Sequence, residues 1–345
     1  MARNRKPHPL LDRAAYVAAR TVSTAITCFD PDGNAEVAGL LGRWLSRIDK
    51  RHRETARSNL RLAFPDWSEE RVDRVAVHTF EHLVLLAVEA LQTPRVITPY
   101  TWRKRIDPDG IGPALKVLTS GRPSILVTGH LGNWEIVGYT LGLLGFPIAA
   151  VARPLDNAHI NRWLLDVRER TGMRIVNKFE AMVRLQKIVE DGGSVAFIAD
   201  QNAGDRGLFV PFFGRLASHY KSIGMLAIKN RCPIVCGYAW RVSDRFRFEL
   251  GISDVIEPEE WESQPDPMLY ITARYSRAIE GMIRPRPEQY FWMHRRWKSR
   301  PRHEKQGKPF PDRLRESLSQ LPWMSEEALS AVVADSEALA VARRA

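Results

Sequence analysis

His130 and Glu135 lie in "TGHLGNWEIVG", where a hydrophobic run gives way to a hydrophobic helix. A carboxylate and an imidazole in so apolar a setting are costly unless each satisfies the other. Glu135 falls in the first turn of the following helix and can accept a hydrogen bond from the imidazole Nδ1–H. That bond would fix the tautomer and leave Nε2 free as a base. No Ser or Cys stands within the motif, so the hydroxyl to be deprotonated would come with the substrate. Such a base contributes roughly 10²–10⁴-fold in rate. On spacing alone the alternative is a His–Glu pair that only caps the helix. Gly129 and Gly132 let the backbone turn tightly and come close to a ligand.

Two more polar residues occupy equivalent places. Arg153 follows "IAAVA" and Asp200 follows "SVAFIA", as His130 follows "SILVTG". In open α/β sheets, reactive groups collect where strands end and helices begin. Spacing therefore predicts that His130, Arg153 and Asp200 converge on one edge of a sheet. A carboxylate at the Asp200 position can equally bind loop backbone N–H groups.

The elements that must position these residues are legible as periodicities. Residues 9–92 read as helical, with Asp66 and Ser68 as cap candidates before a long amphipathic run. From about residue 110, short apolar runs alternate with helical segments closed by glycine. This βαβ alternation predicts an α/β fold: an open, largely parallel central sheet flanked by helices, with an N-terminal helical portion. Three parts are expected: 1–100 helical and membrane-proximal, 101–310 the α/β core, and 311–345 a helical or disordered tail. "SHYKSIGMLAIKN" reads as a helix throughout. "GLFVPFFG" reads as an apolar loop that could cover a bound chain.

Composition narrows the class. With 345 residues, 44% hydrophobic and 26% charged, the chain is globular with a sizeable core. Cys28, Cys232 and Cys236 give no paired framework and no metal-ligand spacing. The net charge of +11 is concentrated: residues 284–308 hold nine Lys/Arg against two acids, and residues 43–62 hold seven against two. That concentration points to an anionic partner such as phosphate, lipid headgroup or nucleic acid. "YFWMHRRWKSRPR" interleaves aromatics with basic residues, a pattern that serves either nucleic-acid stacking or a membrane interface. No run of about 20 unbroken apolar residues marks a membrane span, and no signal peptide is read.

"GHLGNWE" resembles the H-x₄-D/E motif of glycerolipid acyltransferases. In order along the chain, "RETARSNLRLAFPDWSEE", "VARPLDN", "ADQNAGDRGLFVPFFGRLAS" and "PEQYFWMHRRWKSRP" are similar to the lipid A biosynthesis lauroyl/myristoyl acyltransferase branch. The resemblance runs from about Arg51 to Pro301. It implies acyl transfer from a thioester donor, acyl-ACP or acyl-CoA, to a hydroxyl of a lipid A-like, glycolipid or lysolipid acceptor. His130 would be the general base and Glu135 its orienting partner, with no cofactor and no metal. Backbone N–H groups at Gly132 and Asn133, or the Arg153 guanidinium, would face the oxyanion; Arg153 can instead hold an acceptor phosphate. Asp200 and Gln201 match the family's "DQ" pair and would shape the acceptor side. Apart from the resemblance, Lys221 at the start of a helix could meet an anionic headgroup or be a solvated surface lysine, while His294, Arg295 and Arg296 fall on a matching block of the family. The implied setting is the cytoplasmic face of a bacterial inner membrane, with no nucleic-acid partner; where many members of the branch carry an N-terminal spanning helix, the polar, Arg-interrupted N-terminus here favours peripheral or weakly anchored contact with anionic lipid. The competing reading is a non-catalytic basic protein that binds membrane or nucleic acid.

Overall fold

The computed structural model describes residues 8–152, 154–177, 181–243 and 245–343. Four helices come first: α1 (Pro9–Cys28), α2 (Pro31–Ile48), α3 (Lys50–Ala63) and α4 (Glu69–Val96). Asp30, Asp49 and Ser68 cap α2, α3 and α4 by accepting from backbone N–H groups of the first turn. The core follows as α5 (Trp102–Arg105), β1 (Ile106–Gly110), α6 (Gly112–Leu118), β2 (Ile125–Thr128), α7 (Trp134–Leu143), β3 (Ile148–Ala152) and α8 (Ala158–Arg168). It continues as β4 (Arg174–Asn177), α9 (Ala181–Glu190), β5 (Ser194–Ile198), β6 (Leu208–Phe212), β7 (Arg215–His219), α10 (Ser222–Asn230), β8 (Ile234–Arg241) and β9 (Phe248–Ile256). The chain then runs through α11 (Pro258–Glu262), α12 (Pro267–Ile283), α13 (Arg302–Lys305), α14 (Asp312–Ser319) and α15 (Glu326–Val341).

The seven-stranded sheet has the order β1-β9-β8-β2-β5-β3-β4. Every neighbouring pair is parallel except β8 and β9, so the expected α/β class holds. Alternate residues face opposite sides. Leu126, Ile148 and Val235 pack under α6 and α7 with Ala114 and Leu141. Ile125, Val127, Val195 and Ile234 pack against Leu185, Ile223 and Ile279 of the helices on the other side. Strand β1, "IDPDG", is absent from the periodicity reading because Pro108 and Gly110 argue against a strand; it is tolerated because β1 is an edge strand.

Two local readings change. Ser218 and His219 end strand β7 and do not start a helix; α10 begins at Ser222. "GLFVPFFG" is not a covering loop but β6 and the turn of an antiparallel β6–β7 hairpin. Phe212 and Phe213 are buried, with Phe213 edge-on to Trp292 and Phe64. The tail is folded: α15 buries Val332, Val333 and Ser336, Asp335 pairs with Arg215, and Ser336 donates to buried Glu304, itself bonded to buried Arg300.

The basic clusters are partly internal. Arg53 pairs with Asp73, and Arg57 and Arg61 pair with Glu69. Arg296 and Arg300 are buried, and Lys305 pairs with Asp205. Trp292 and Trp297 are also buried, so they are not available to stack on bases. Among the described residues, one helix, α4, is long and apolar enough to cross a membrane by length and composition. Its Glu89 is 3% exposed and ion-paired with Arg241 of β8.

Helix α2 lies very close to α4, because a Cβ at Gly42 would stand 2.4 Å from the Glu81 Cα. Gly42→Ala is therefore expected to push the helices apart and destabilise the protein by about 1–3 kcal/mol. Gly39→Ala, with only Arg43 Nη1 at 3.5 Å, should be neutral or stabilising by up to about 1 kcal/mol. Urea denaturation of the two variants checks the contrast.

Candidate active site

Strands β2 and β5 are parallel neighbours, with Thr128 opposite Ile198. Two residues further, His130 and Asp200 again stand side by side, outside the carboxyl ends of their strands. The Asp200 carboxylate takes two hydrogen bonds from the same residue: the His130 backbone N–H at 2.9 Å and the ring Nδ1–H at 2.7 Å. Asp200 is 3% exposed, whereas the His130 side chain retains 19% exposure. The acid is thus sealed behind the base.

The electrostatics follow from this burial. For Asp200, desolvation opposes ionisation, but the charge and hydrogen bonds of His130, with the charge of Arg296, outweigh it and hold the carboxyl well below its usual range. For His130, desolvation works against the imidazolium, but the charge and hydrogen bond of Asp200, then the charge of Glu135, outweigh it. Its pKa stands above the ordinary 6.5. With Nδ1–H fixed on Asp200, the neutral ring presents a bare Nε2.

Glu135 is not the Nδ1 partner. It sits in the first turn of α7, and its carboxylate is held by Arg168, the last residue of α8, with Nε to Oε2 at 2.9 Å and Nη2 to Oε1 at 2.5 Å. A residue at the end of the adjacent strand reaches the ring more directly than one a turn into the next helix. The sequence signal for Asp200 was its place at a strand end; the missing information was that β5 lies beside β2.

The turn between His130 and α7 is tightly bound. Gly132 has φ +53°, and a Cβ there would stand 2.0 Å from the Ala239 carbonyl. Its N–H donates to the Gln289 carbonyl, and that of Asn133 donates to the Ala239 carbonyl. Both amides are engaged by backbone and do not face an oxyanion. The Asn133 side chain is fully buried, caps α7 through Ile136 N–H and donates to Glu89.

Gln201 is brought to the ring: its Nε2 lies 3.4 Å from His130 Nε2. Trp134 and the imidazole make a T-shaped contact with ring centroids 5.0 Å apart. Arg153 lies outside the described residues. His294 points inward, its Nε2 accepting from the Asn202 N–H at 3.0 Å; burial and the charge of Arg296 push its pKa down to about 4, against the opposing pull of Asp200. Arg296 is 1% exposed and donates to the Ser218 carbonyl and the His219 ring. It acts behind the site through its charge on Asp200 and is not among the residues lining the cavity at His130. Arg295 and Lys221 are exposed.

A cavity of about 1240 Å³ opens over this group, larger than the roughly 300–1,000 Å³ of ordinary small-molecule pockets. It is lined mainly by apolar side chains, including Leu126, Val137, Leu141, Val235 and Leu250. His130, Glu135, Arg168 and Gln201 are among its polar lining residues. An imidazole with a bare nitrogen beside a long apolar cavity suits proton removal from a hydroxyl on a substrate carrying a hydrocarbon chain.

Residues 6–299 match the family model for bacterial lipid A biosynthesis acyltransferases. The chain is 28% identical over 264 residues to the lipid A biosynthesis palmitoleoyltransferase of Escherichia coli (strain K12), covering 73% of this chain and 80% of that protein. It is 27% identical over 270 residues to the lipid A biosynthesis lauroyltransferase of the same strain (76% and 84%). To the myristoyltransferase of that strain it is 25% identical over 271 residues (75% and 79%). The chain belongs to the bacterial lipid A biosynthesis acyltransferase family and is an O-acyltransferase.

A base acts only when unprotonated, so kcat/KM should rise with pH through an inflection above 6.5, where His130 loses its proton. Asp200→Asn removes the largest influence raising that pKa. It should move the inflection to lower pH and drop the plateau by about 10²-fold or more. Glu135→Gln removes only a charge and leaves the Nδ1 bond, so its inflection should move down less. A pH–rate profile of the three proteins measures this.

Proposed function

We propose that this acyltransferase moves a fatty acyl group from a thioester, acyl-ACP or acyl-CoA, to a hydroxyl of a lipid A-like glycolipid or lysolipid. His130 Nε2 takes the acceptor hydroxyl proton as that oxygen attacks the thioester carbonyl. The tetrahedral intermediate then collapses, the C–S bond breaks, and the imidazolium returns the proton to the departing thiolate. The observation that carries this reading is the Asp200-clamped His130 lining a largely apolar cavity, with Gln201 beside its Nε2. Asp200 stabilises the imidazolium in the role expected of Glu135, while Glu135, locked to Arg168, adds a weaker charge from the cavity wall. Gln201 is the donor beside the space where the oxyanion forms. Losing such a donor typically costs about 2.7–4 kcal/mol.

Peripheral contact with anionic membrane at the cytoplasmic face is the second part of the proposal. It is supported by the polarity of the first two helices. Helix α2 turns its small residues Ala38, Gly42 and Ser46 inward, while Val37, Leu40, Leu41, Trp44 and Ile48 are exposed. Helix α1 likewise buries Ser23 and exposes Leu10, Leu11, Val17 and Val22. Large apolar side chains on the outside, with Arg13, Arg20, Arg43 and Arg47 beside them, suit a bilayer interface with acidic headgroups.

Thiol release from acyl-ACP and acyl-CoA, supplied with several lipid acceptors, tests the chemistry. Wild type should release thiol when an acceptor is present, and His130→Ala should lose about 10²-fold or more of that rate. Equal rates would remove the mechanism. Flotation with phosphatidylglycerol vesicles tests the contact: the Leu40→Ser/Trp44→Ser protein should float less than wild type, and identical flotation would remove the proposed surface.

A further inference from the structure

The turn that carries His130 is held from two sides. Asp200 grips one side. On the other, a buried polar cluster joins α4 to β8, the strand on the opposite side of β2 from β5. Glu89 accepts from Asn133 Nδ2 at 2.9 Å, and from Arg241 Nε at 2.6 Å and Nη2 at 2.7 Å. Arg241 also exchanges two hydrogen bonds with Gln289: its N–H donates to Gln289 Oε1 and its carbonyl accepts from Gln289 Nε2. The Gln289 carbonyl in turn receives the Gly132 N–H.

His82 lies two turns before Glu89 on the same face of α4. Its Nδ1 is 3.3 Å from Arg241 Nη1. A guanidinium only donates, so Nδ1 accepts and the ring proton sits on Nε2. Burial and the Arg241 charge keep the ring neutral. The buried Nε2 has no hydrogen-bond partner. Glu89 thus reaches the turn directly through Asn133, and His82 reaches it only through Arg241.

A buried ion pair of this kind often adds little net stability over apolar packing of the same volume. Stability is therefore a weak reason for placing a glutamate, an arginine and a histidine here. We propose that Glu89, Arg241 and His82 are positioning residues: a strut from α4, through Asn133, that holds His130 at the height where Nε2 meets the acceptor hydroxyl. The inference rests on the acyl-transfer reading for its rate measurement only. Its geometry concerns the His130 ring itself, which touches the reacting atoms while the strut does not.

The test uses the full chain. Asn133→Ser keeps a side-chain cap for α7 but is too short to reach Glu89. Glu89→Gln keeps an acceptor for Asn133 and leaves Arg241 a neutral partner. Asn133→Ser should lower kcat by roughly 10²-fold, the effect of misplacing a reacting group by about an ångström, with KM for the thioester little changed. Glu89→Gln should lower it by roughly tenfold, and the double variant should be slower than Asn133→Ser alone by clearly less than that factor, because the two substitutions share the Asn133 contact while Glu89 also holds Arg241. A wild-type kcat in either folded single variant, or losses that multiply in the double, overturns the strut; should Asn133→Ser fail to fold, Glu89→Gln decides. The Nδ1–H proton resonance of His130 reads the same geometry without turnover. If wild type transfers no acyl group but that signal broadens in the variants, the acyl-transfer reading fails and the strut stands. A signal unmoved in a folded variant sinks the strut.

Discussion

One carboxylate, taking two hydrogen bonds from a single residue, is the constraint on which the site depends. Asp200 fixes both the backbone and the ring of His130. It can do so because β2 and β5 are adjacent, parallel and in register. The cost of burying that charge is offset by His130 and by the enclosed Arg296 guanidinium, which has no carboxylate ion pair among the described residues and faces Asp200 through the interior. Had the two strands been separated by one more, the same residues could not have met. The rest follows: a ring with a fixed tautomer, a bare nitrogen, and a hydrocarbon-lined space in front of it.

Much of this was legible in the residues. The strand ends after "SILVT" and "SVAFI", and the residues just beyond them, were placed correctly because short apolar runs bounded by glycine are strong local signals. The partner of His130 was not, because strand order is a long-range property that local spacing does not encode. Glu135 is close in sequence, but nearness along the chain does not bring its side chain to Nδ1; Arg168 holds it instead. Arg296 shows a second failure of the same kind. A basic residue among aromatics reads as surface, yet the Ser218 carbonyl and the His219 ring make a buried seat for its donors. Similarly, "GLFVPFFG" carries loop-like glycines, but its phenylalanines are claimed by Trp292 and Phe64.

The N-terminal helices invert the usual rule that small and polar residues face outward. Close approach of α2 to α4 requires glycine and alanine at the contact, which leaves no inward place for the larger apolar side chains. Sequence periodicity alone registers an amphipathic helix but not which face is covered. The charge count was misleading for a related reason: acids on α4 and in the interior neutralise many of the basic residues, so the outward field is smaller than the tally suggests.

The folded C-terminal segment has a consequence for where the protein can be divided. The stretch that matches the family ends at residue 299, yet Arg300, 7% exposed, relies on Glu304, and Glu304 relies on Ser336. A chain ended at Pro301 would discard Glu304, the counter-ion of Arg300, together with the α15 side chains Val332 and Val333 that pack into the core. The boundary drawn by kinship and the boundary drawn by cooperative folding therefore do not coincide, and the catalytic half would be the first to suffer from confusing them.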